Sequence, residues 1–466
     1  MLASKCFARF ARMTARDSLF SMDINYNFPK LSVDEEKYNA YPFETKDSQL
    51  KDLPKEVLFC KKCVISNQRP RTDFDESGIC NACKYAEKKF AIPENGGIDW
   101  NTRERELETL LNTHRSKDGS WDVVVPGSGG KDSALVTHQL KVRYGMHPLA
   151  VTWAPFIYTD IGWQNYNNMI QSGFDGLVAW PNGILHRKLA RVAFELKGDP
   201  WEPFAFGQKA FAFQIALRFK IPLIFYGENG EVEYGGSFKN AEKPYESPED
   251  WDELYYKGAG IDKLLEEGVK MGIFSEEELK DASFDFYRAP KLEDVSKLGL
   301  QMHWWSYYKL WVPQEHFYYA SKHTGFAPAR ERTEGTYTKH LSIDDRLDPF
   351  HWLLAYIKFG YGRATREACS EIRCEHITRE EGVSLVHRYD HEFPKRYFQQ
   401  FLEYLGITEE HFWKISDQYR LPHIWRKDGA AWKLNTVVSN NEPKGQAPSE
   451  AQTPYSGSSE QTSVKR

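Results

Sequence analysis

A run of three valines, followed by a glycine-rich turn and the start of a helix, constrains this chain more than any other feature. Val123, Val124 and Val125 predict a buried strand, and the segment PGSGG that follows predicts a tight turn. The residues from Asp132 to about Arg143 then predict a helix. This arrangement directs backbone N–H groups and the positive end of the helix at an anion. We therefore expect an α/β fold, with a parallel sheet and a phosphate site at the end of its first strand.

The loop sequence differs from the two best-known nucleotide-binding loops. It is not GxxxxGK[ST], because Lys131 is followed by Asp132 rather than by serine or threonine. It is not the dinucleotide-binding GxGxxG either, because Asp132 occupies the position of the third glycine. Its glycines still let the backbone approach a phosphate, its serines and lysine donate hydrogen bonds, and its aspartate suits Mg²⁺. The predicted pyrophosphate-binding residues are Ser128, Gly129, Gly130, Lys131, Asp132 and Ser133.

Four of the seven cysteines predict a metal site. They form two C-x2-C pairs separated by sixteen residues, a spacing typical of a four-thiolate zinc ribbon. A segment of about thirty residues buries too little surface to fold alone, and a structural zinc ion supplies the missing free energy. Two disulfides or an iron–sulfur site are the alternatives that the spacing leaves open. The predicted ligands are Cys60, Cys63, Cys80 and Cys83.

Charge and hydropathy disfavour two classes of partner. The chain has a formal net charge of −5, whereas a protein that neutralises nucleic-acid phosphates is usually basic. The closest candidate for a membrane span, FHWLLAYIKF at 350–359, is shorter than the roughly 18 residues that span a membrane, and it contains Lys358. We therefore expect no nucleic-acid binding and no membrane insertion. Without a clear export signal, the expected location is cytoplasmic.

The remaining patterns divide the chain of 466 residues into six regions. Strands and helices alternate from Trp121 to about Gly236, whereas the sequence beyond Ser237 is strongly aromatic and predicts mainly helices. Residues 1–16 are basic and weakly similar to an organellar targeting peptide, although a disordered or loosely docked tail is the simpler interpretation. Asn101 is the expected N-cap of a linker helix. The predicted regions are an N-terminal extension (1–58), a zinc ribbon (59–90), a linker helix (91–120), a parallel α/β domain (121–236), a mostly helical domain for substrate and partner (237–436) and a disordered tail (437–466).

The loop SGGKDS after a hydrophobic strand resembles the PP-loop ATP pyrophosphatases, which include GMP synthetase, argininosuccinate synthetase and tRNA lysidine synthetase. Four further segments narrow the resemblance to the N-acetyl sugar amidotransferases of bacterial surface-polysaccharide pathways. These segments are FCKKCVISNQRPRTDFDESGICNAC, YGENGEVEYGG, GTYTKHLSIDD and GRATREACSEIR. The resemblance covers about residues 58–430 and implies that the α/β domain is a PP-loop, adenine nucleotide alpha hydrolase-like domain.

The resemblance implies an ATP-dependent ligase-type reaction that forms AMP and pyrophosphate. AMP is attached to the acetamido oxygen of an N-acetylated, nucleotide-linked sugar, and ammonia then displaces it. The product carries an acetamidino group and serves the biosynthesis of lipopolysaccharide, O-antigen or a related surface glycan. The implied cofactors are ATP, Mg²⁺ and structural Zn²⁺. The implied partner is a separate glutaminase subunit that supplies the ammonia.

Polar residues after the predicted strand Leu223–Tyr226 extend the expected site. Ligands bind at the carboxyl ends of parallel strands, so Glu228, Asn229 and Glu233 are expected to contact magnesium or substrate. A polar loop that merely caps the strand is the alternative. The sequence does not say which sugar or which acetamido position reacts.

Five more residues enter through the resemblance. In this fold, adenine commonly lies against the backbone near Val151 and Trp153, on the predicted second strand. Lys339 is expected beside a phosphate or the adenylated oxygen, and Asp344 and Asp345 near the active site. An acidic cap at a helix start is the alternative for this segment.

Two other functions remain open from the sequence. A tRNA-modifying PP-loop enzyme, of thiolation or lysidine type, would use the cysteines for sulfur or iron–sulfur chemistry and would have a basic surface. A non-catalytic nucleotide-binding scaffold would keep the fold without turnover.

Overall fold

The computed structural model describes residues 26–43, 47–246 and 260–439. The basic segment 1–16 and all of the predicted tail beyond residue 439 lie outside these ranges. None of the helices within them is long and apolar enough to span a bilayer. The strands are β1 Val123–Pro126, β2 Pro148–Trp153, β3 Asp175–Ala179, β4 Leu223–Tyr226, β5 Tyr245–Glu246, β6 Gln301–Trp304, β7 Trp425–Asp428 and β8 Ala431–Leu434.

Helices cover most of the chain between and after the strands. The α-helices are α1 Glu35–Ala40, α2 Asn81–Phe90, α3 Trp100–His114, α4 Lys131–His138, α5 Asp160–Gln171, α6 Gly183–Lys197, α7 Glu202–Phe219, α8 Gly230–Tyr234, α9 Asp262–Lys270, α10 Leu292–Leu298, α11 Trp305–Tyr308, α12 Pro313–His323, α13 Asp348–Phe359, α14 Arg363–Arg373, α15 Arg379–Tyr389, α16 Phe398–Leu405 and α17 Glu409–Gln418. A π-helical turn, Gln139–Arg143, continues α4.

The order of the strands places β1 where the direction of sheet growth reverses. Six strands form one sheet in the order β3-β2-β1-β4-β6-β5, in which only β5 runs antiparallel to its neighbour. β2 and β3 lie on one side of β1, and β4 lies on the other. In α/β sheets, ligands bind in the crevice at such a reversal, beyond the carboxyl ends of the strands. The predicted α/β fold with a parallel sheet is confirmed, and its first loop lies at this crevice.

Both faces of the sheet are covered, which explains the continuous valine run of β1. Val124 belongs to the apolar cluster on one face, together with Leu189 of α6. Val123 and Val125 belong to the cluster on the opposite face, together with Leu111 of α3. Alternate residues of a strand point to opposite faces, so a strand buried on both sides has no polar position.

The linker helix α3 is present, but its cap differs from the prediction. Asp99, rather than Asn101, is the N-cap, and its carboxylate accepts hydrogen bonds from the backbone N–H groups of Asn101 and Thr102 at 3.0 and 3.1 Å. A carboxylate at this position also interacts favourably with the helix dipole.

The described part of the predicted N-terminal extension is folded into the core. Leu31, Leu50 and Leu53 are buried. The carboxylate of Asp47 forms a buried ion pair with Lys358 of α13. Buried charges are costly unless they are paired, so this contact fixes the segment against the C-terminal region.

The sheet also continues beyond residue 236, into the region predicted to be helical. β6 pairs in parallel with β4, and β5 joins the edge. β6 has four residues inside the aromatic run QMHWWSYY. A run this short and apolar shows neither strand nor helix periodicity, so the pattern does not reveal the strand. Most of the chain from α12 to α17 is helical, as expected.

Candidate active site

The loop after β1 is tightly packed at one glycine and open at the next. Gly129 has φ +83°, and a Cβ atom added there would lie 2.5 Å from the Cα atom of Tyr166 in α5. Gly130 has φ −65° and precedes α4. A Cβ atom added there would have the Ser128 hydroxyl as its nearest neighbour, at 3.6 Å. Only glycine fits the backbone and the space at Gly129, whereas the space beside Gly130 is free for a ligand.

A cavity of about 750 Å³ lies against this loop. It lies at the carboxyl ends of β1 and β4, as the sheet order predicts. Ser128, Gly130, Asp132 and Ser133 line it from the loop. A smaller cavity of about 180 Å³ touches the same loop and is lined by Gly129, Lys131 and Asp344, among others. The structure therefore brings all six predicted loop residues to one of these two cavities.

Asp132 lies between two basic side chains. Lys131 pairs with one carboxylate oxygen, and Nδ1 of His316 lies 2.7 Å from the other. Burial alone would raise the pKa of Asp132, but Lys131 and His316 outweigh it and hold the pKa below its usual value. Asp132 is therefore ionised at neutral pH. His316, on α12, is a site residue that the sequence analysis missed, because it lies 184 positions from Asp132 in an ordinary helical pattern.

Glu228 is another carboxylate that lines the large cavity. It accepts a hydrogen bond from the hydroxyl of Tyr234 at 3.0 Å. Burial raises the pKa of Glu228, the charge of Asp132 raises it further, and Arg366 opposes them. Carboxylate oxygens are ligands that Mg²⁺ prefers, and a bound cation would relieve this repulsion. Asp132 and Glu228 are thus the candidate ligands for a Mg²⁺ ion, which would neutralise phosphate charge.

The two other polar residues predicted after β4 have structural contacts. Asn229 lines the large cavity, but its side-chain oxygen accepts from the backbone N–H of Glu231 at 3.1 Å and so caps α8. Glu233 forms an ion pair with Lys89 at 2.8 Å, and both side chains are buried. The structure therefore places Glu228 in the cavity, Asn229 at its wall and Glu233 outside it.

The residues predicted near adenine lie beneath the loop. The carbonyl of Val151 accepts the N–H of Gly127 at 3.0 Å and so holds the loop to β2. The side chain of Trp153 is buried against Gly207 of α7. Neither side chain is among those that line the large cavity. Adenine binding at this backbone stays a prediction.

The segment that contains Lys339 reaches the loop through a different residue. Lys339 is exposed, and its amine donates to the carbonyl of Arg330 at 2.9 Å, away from both cavities. The structure does not bring Lys339 into the site. Asp344 lines the smaller cavity and interacts with the Ser128 hydroxyl; burial and the charge of Asp348 raise its pKa.

Asp345 organises the backbone. Its carboxylate accepts the N–H of Phe156 at 2.7 Å and the N–H of Leu347 at 2.9 Å. Burial raises its pKa well above the usual range, although these hydrogen bonds oppose the shift. This contact matches the alternative that the segment serves as an acidic cap near a helix start.

The four predicted metal ligands converge. All four sulfurs are buried and lie within 4.8 Å of one another. The Sγ atoms of Cys60 and Cys83 are 3.9 Å apart, and those of Cys63 and Cys80 are 3.8 Å apart. Tetrahedral zinc with Zn–S bonds of about 2.3 Å requires S···S distances of about 3.8 Å. The four cysteines therefore fit a structural zinc ion with no open coordination position.

Several cavity residues lack any motif that the sequence could reveal. Lys209 of α7 lies with its amine 3.6 Å from the ring centroid of Tyr226. Burial lowers the pKa of Lys209 to about 8, against the opposing effect of two glutamates. The rings of Trp201 and His351 stack at 5.0 Å on another wall. Trp201 and Lys209 belong to the cap and body of α7, whereas Tyr226 lies on β4 and His351 on α13, so only the fold brings them together.

Comparison with known proteins yields one family match. Residues 334–438 match the family "LPS biosynthesis protein WbpG-like, C-terminal domain". The match contains GTYTKHLSIDD and GRATREACSEIR, two of the segments on which the resemblance in sequence rests. It also contains α14, whose Arg366 and Arg373 line the large cavity. The matched domain is a minority of the chain, and it supports a role in lipopolysaccharide biosynthesis.

The other comparisons add little. No curated protein matches the chain. Among solved structures, the chain is similar to the NH3-dependent NAD synthetase from Campylobacter jejuni subsp. jejuni NCTC 11168 in complex with the nitrate ion. The identity is 14% and the TM-score 0.23, over 43% of this chain and 92% of that chain. A TM-score this low supports no argument about the fold or the site.

Proposed function

We propose that the chain is an ATP-dependent amidotransferase that converts the acetamido group of an N-acetylated, nucleotide-linked sugar into an acetamidino group. The observation that carries the proposal is a shared cavity. The loop residues Ser128, Gly130 and Asp132 and the WbpG-like residues Arg366 and Arg373 line the same space. A phosphate loop and a domain similar to one from lipopolysaccharide biosynthesis thus lie against one volume.

The proposed reaction turns a poor leaving group into a good one. The acetamido oxygen attacks the α-phosphorus of ATP, and pyrophosphate leaves. Ammonia then adds to the imidate carbon, the carbon–oxygen bond breaks, and AMP departs with the former amide oxygen and leaves C=NH. Protons lost from the attacking nitrogen pass to solvent or to a basic group. The protein must hold the reacting groups in line and exclude water from the adduct.

The loop residues take defined parts in this reaction. Backbone N–H groups at the start of α4, with the helix dipole, would hold the departing pyrophosphate. The Ser128 hydroxyl and the Lys131 amine would donate to its oxygens. Asp132 and Glu228 would hold Mg²⁺, which neutralises phosphate charge when bound. His316 would position Asp132 through its 2.7 Å contact.

A separate glutaminase subunit is proposed as the source of ammonia. The nucleophile must be uncharged ammonia, because the ammonium ion has no lone pair. A channel from a partner's active site would deliver it without protonation. High concentrations of ammonium salt at alkaline pH should therefore replace the partner. Strict dependence on the glutaminase under those conditions would contradict a simple ammonia channel.

The first test is a direct assay. The protein is incubated with ATP, Mg²⁺ and ammonium at alkaline pH, together with UDP-linked or CMP-linked N-acetyl sugars. The expected result is AMP together with a sugar product whose mass reflects the exchange of oxygen for NH. ADP formation, or no product from any sugar in the series, would refute the proposed reaction.

The second test uses the loop and a matched control. The double variant Ser128→Ala, Asp132→Ala should lose AMP formation while it keeps its fold and zinc content. The control is Ser116→Ala, Asp118→Ala, an exposed serine–aspartate pair 2.9 Å apart in the loop before β1. The control should form AMP at the parent rate. If the Ser128, Asp132 variant also does so, the loop is not the ATP site.

A further inference from the structure

Three arginine side chains, which we name the arginine cluster, face the large cavity from two separate elements. Arg69 comes from the ribbon, between the two cysteine pairs, and Arg366 and Arg373 come from α14. Burial lowers the pKa of Arg69; Tyr361 and Glu231 oppose this shift, whereas the charges of Arg366 and Arg373 add to it. Arg366 and Arg373 are seven residues apart and so share a helix face, about 10 Å apart along the axis.

In the described part of the chain, the arginine cluster has no carboxylate partner, although Arg373 lies near the cysteine sulfurs of the metal site. Burial lowers the pKa of Arg373, but the charges of these sulfurs outweigh it and raise the pKa well above its usual value. Within residues 26–43, 47–246 and 260–439, no carboxylate forms an ion pair with any of its three members. The two glutamates of α8 already form ion pairs with other residues. Glu231 pairs with Arg71 at 2.6 Å, and Glu233 pairs with Lys89 at 2.8 Å.

Hydrogen-bond donors of the cluster are also unused. Nη1 of Arg69 and Nε of Arg373 are buried without a hydrogen-bond partner among the described residues. Arg373 makes one hydrogen bond, from Nη1 to the carbonyl of Glu233 at 2.9 Å. Unpartnered charged donors are costly when buried, so the arrangement suits an anionic ligand.

The cluster adjoins the catalytic end of the cavity. The guanidinium of Arg366 lies 4.0 Å from the ring centroid of Tyr234, and the hydroxyl of Tyr234 donates to Glu228. The charges of Asp132 and Arg366 act on Glu228 in opposite directions. Glu228 thus lies within reach of both the phosphate loop and the arginine cluster.

We infer that the arginine cluster binds the diphosphate of a nucleoside diphosphate-linked sugar, with the sugar directed towards Glu228 and the loop. The inference rests on the proposed function and specifies its substrate class. A guanidinium group binds a phosphate through two parallel hydrogen bonds. Two arginines about 10 Å apart along one helix can therefore contact more than one phosphate of the same ligand. The site therefore favours diphosphate-linked sugars over CMP-linked sugars, which carry one phosphate.

The test is equilibrium binding of nucleotides to the full chain while a non-hydrolysable ATP analogue saturates the loop. The probes are UDP, GDP and dTDP, each compared with its monophosphate. At least one diphosphate should bind, and more tightly than its monophosphate. Arg69→Gln and Arg366→Gln should each weaken that binding by about 10- to 100-fold. Each tenfold loss of affinity corresponds to about 1.4 kcal/mol of binding free energy. Affinity for the ATP analogue should change less than about twofold.

Controls separate ligand binding from folding. Arg105→Gln removes an exposed guanidinium on α3, which donates to Thr102 at 2.7 Å, and should leave all affinities unchanged. Arg366→Lys keeps the charge but not the paired donors and should give an intermediate affinity. Thermal unfolding and zinc content of each variant establish that it is folded; if Arg69→Gln is not, Arg366→Gln decides.

Three results would overturn the inference. These are the absence of binding by all three diphosphates, equal affinity for diphosphate and monophosphate, and an equal loss of ATP-analogue affinity in Arg366→Gln. Failure of the proposed function gives a different pattern. If the variants lose diphosphate binding but the parent forms no amidine from any N-acetyl sugar, the diphosphate site stands and the proposed reaction is wrong.

Discussion

Two adjacent glycines of the loop should respond differently to the same methyl group. Gly129→Ala forces φ +83° on an alanine and brings its Cβ to 2.5 Å from backbone of α5. The backbone strain costs about 1–3 kcal/mol and the overlap a similar amount, so the variant should lose about 2–6 kcal/mol of unfolding free energy. That is a large part of the roughly 5–15 kcal/mol that stabilises a typical domain.

Gly130→Ala is the matched partner of this variant. Its Cβ would meet only the Ser128 hydroxyl at 3.6 Å, and φ −65° suits alanine. Its stability should stay within about 1 kcal/mol of the parent. The added methyl group nevertheless occupies the space through which a phosphate approaches the backbone, so affinity for an ATP analogue should fall at least about tenfold.

Urea unfolding and equilibrium binding of the analogue measure both effects. A Gly129→Ala variant as stable as the parent would refute the packing described for the loop. A stable Gly130→Ala variant that binds the analogue normally would refute the assignment of phosphate to this loop.

Three further predictions concern the metal, a buried acid and the N-terminal segment. Cys60→Ser should release the zinc found by metal analysis of the parent and lower the melting temperature, whereas unchanged zinc content would exclude the four-cysteine site. Burial raises the pKa of Glu367 from 4.5 to about 7, so the folded state holds this proton more tightly than the unfolded state does. The contribution of Glu367 to stability should therefore be greatest below pH 4.5 and fall by up to ~3 kcal/mol as the pH rises to 7. The difference in unfolding free energy between the parent and Glu367→Gln, measured with urea, should change with pH by this amount. Asp47→Asn leaves Lys358 buried without its partner and should cost about 3–5 kcal/mol, while an unchanged unfolding free energy would show that the N-terminal segment is not docked.

Local patterns predicted the parts of the site that are continuous in sequence. The valine strand, the glycine turn and the helix start are neighbours along the chain, and their geometry follows from a few residues. Each C-x2-C pair is likewise a short local pattern whose spacing in sequence brings two sulfurs together, and the four sulfurs converge in the structure. The expected parallel sheet followed from the alternation of strands and helices.

Residues brought together by tertiary packing were beyond such patterns. His316 contacts Asp132 from a helix 184 positions away, and nothing in its own segment marks it. Strand β6 has only four residues and lies in an aromatic run, so the sequence shows no alternation of apolar and polar residues that would predict a strand. Lys339 was predicted in the site but lies outside it. It belongs to GTYTKHLSIDD, one of the segments that carry the resemblance, yet its amine donates to the carbonyl of Arg330 and does not reach the cavity.

The docking of residues 47–58 onto the core could not be predicted from their composition. Asp47 lies in a polar stretch, TKDSQLKD, that has the composition of a loose tail. Its carboxylate is buried only because Lys358, on a distant apolar helix, supplies the opposite charge. Composition records which side chains are polar but not which of them find partners.

The most direct test of the central claim follows the amide oxygen. A nucleotide-linked N-acetyl sugar that the enzyme converts is labelled with ¹⁸O at the acetamido carbonyl and incubated with ATP and ammonium. If the oxygen attacks the α-phosphorus of an ATP held by the loop, mass spectrometry should find the label in AMP. Unlabelled AMP, with the label released into water, would contradict adenylation of the amide.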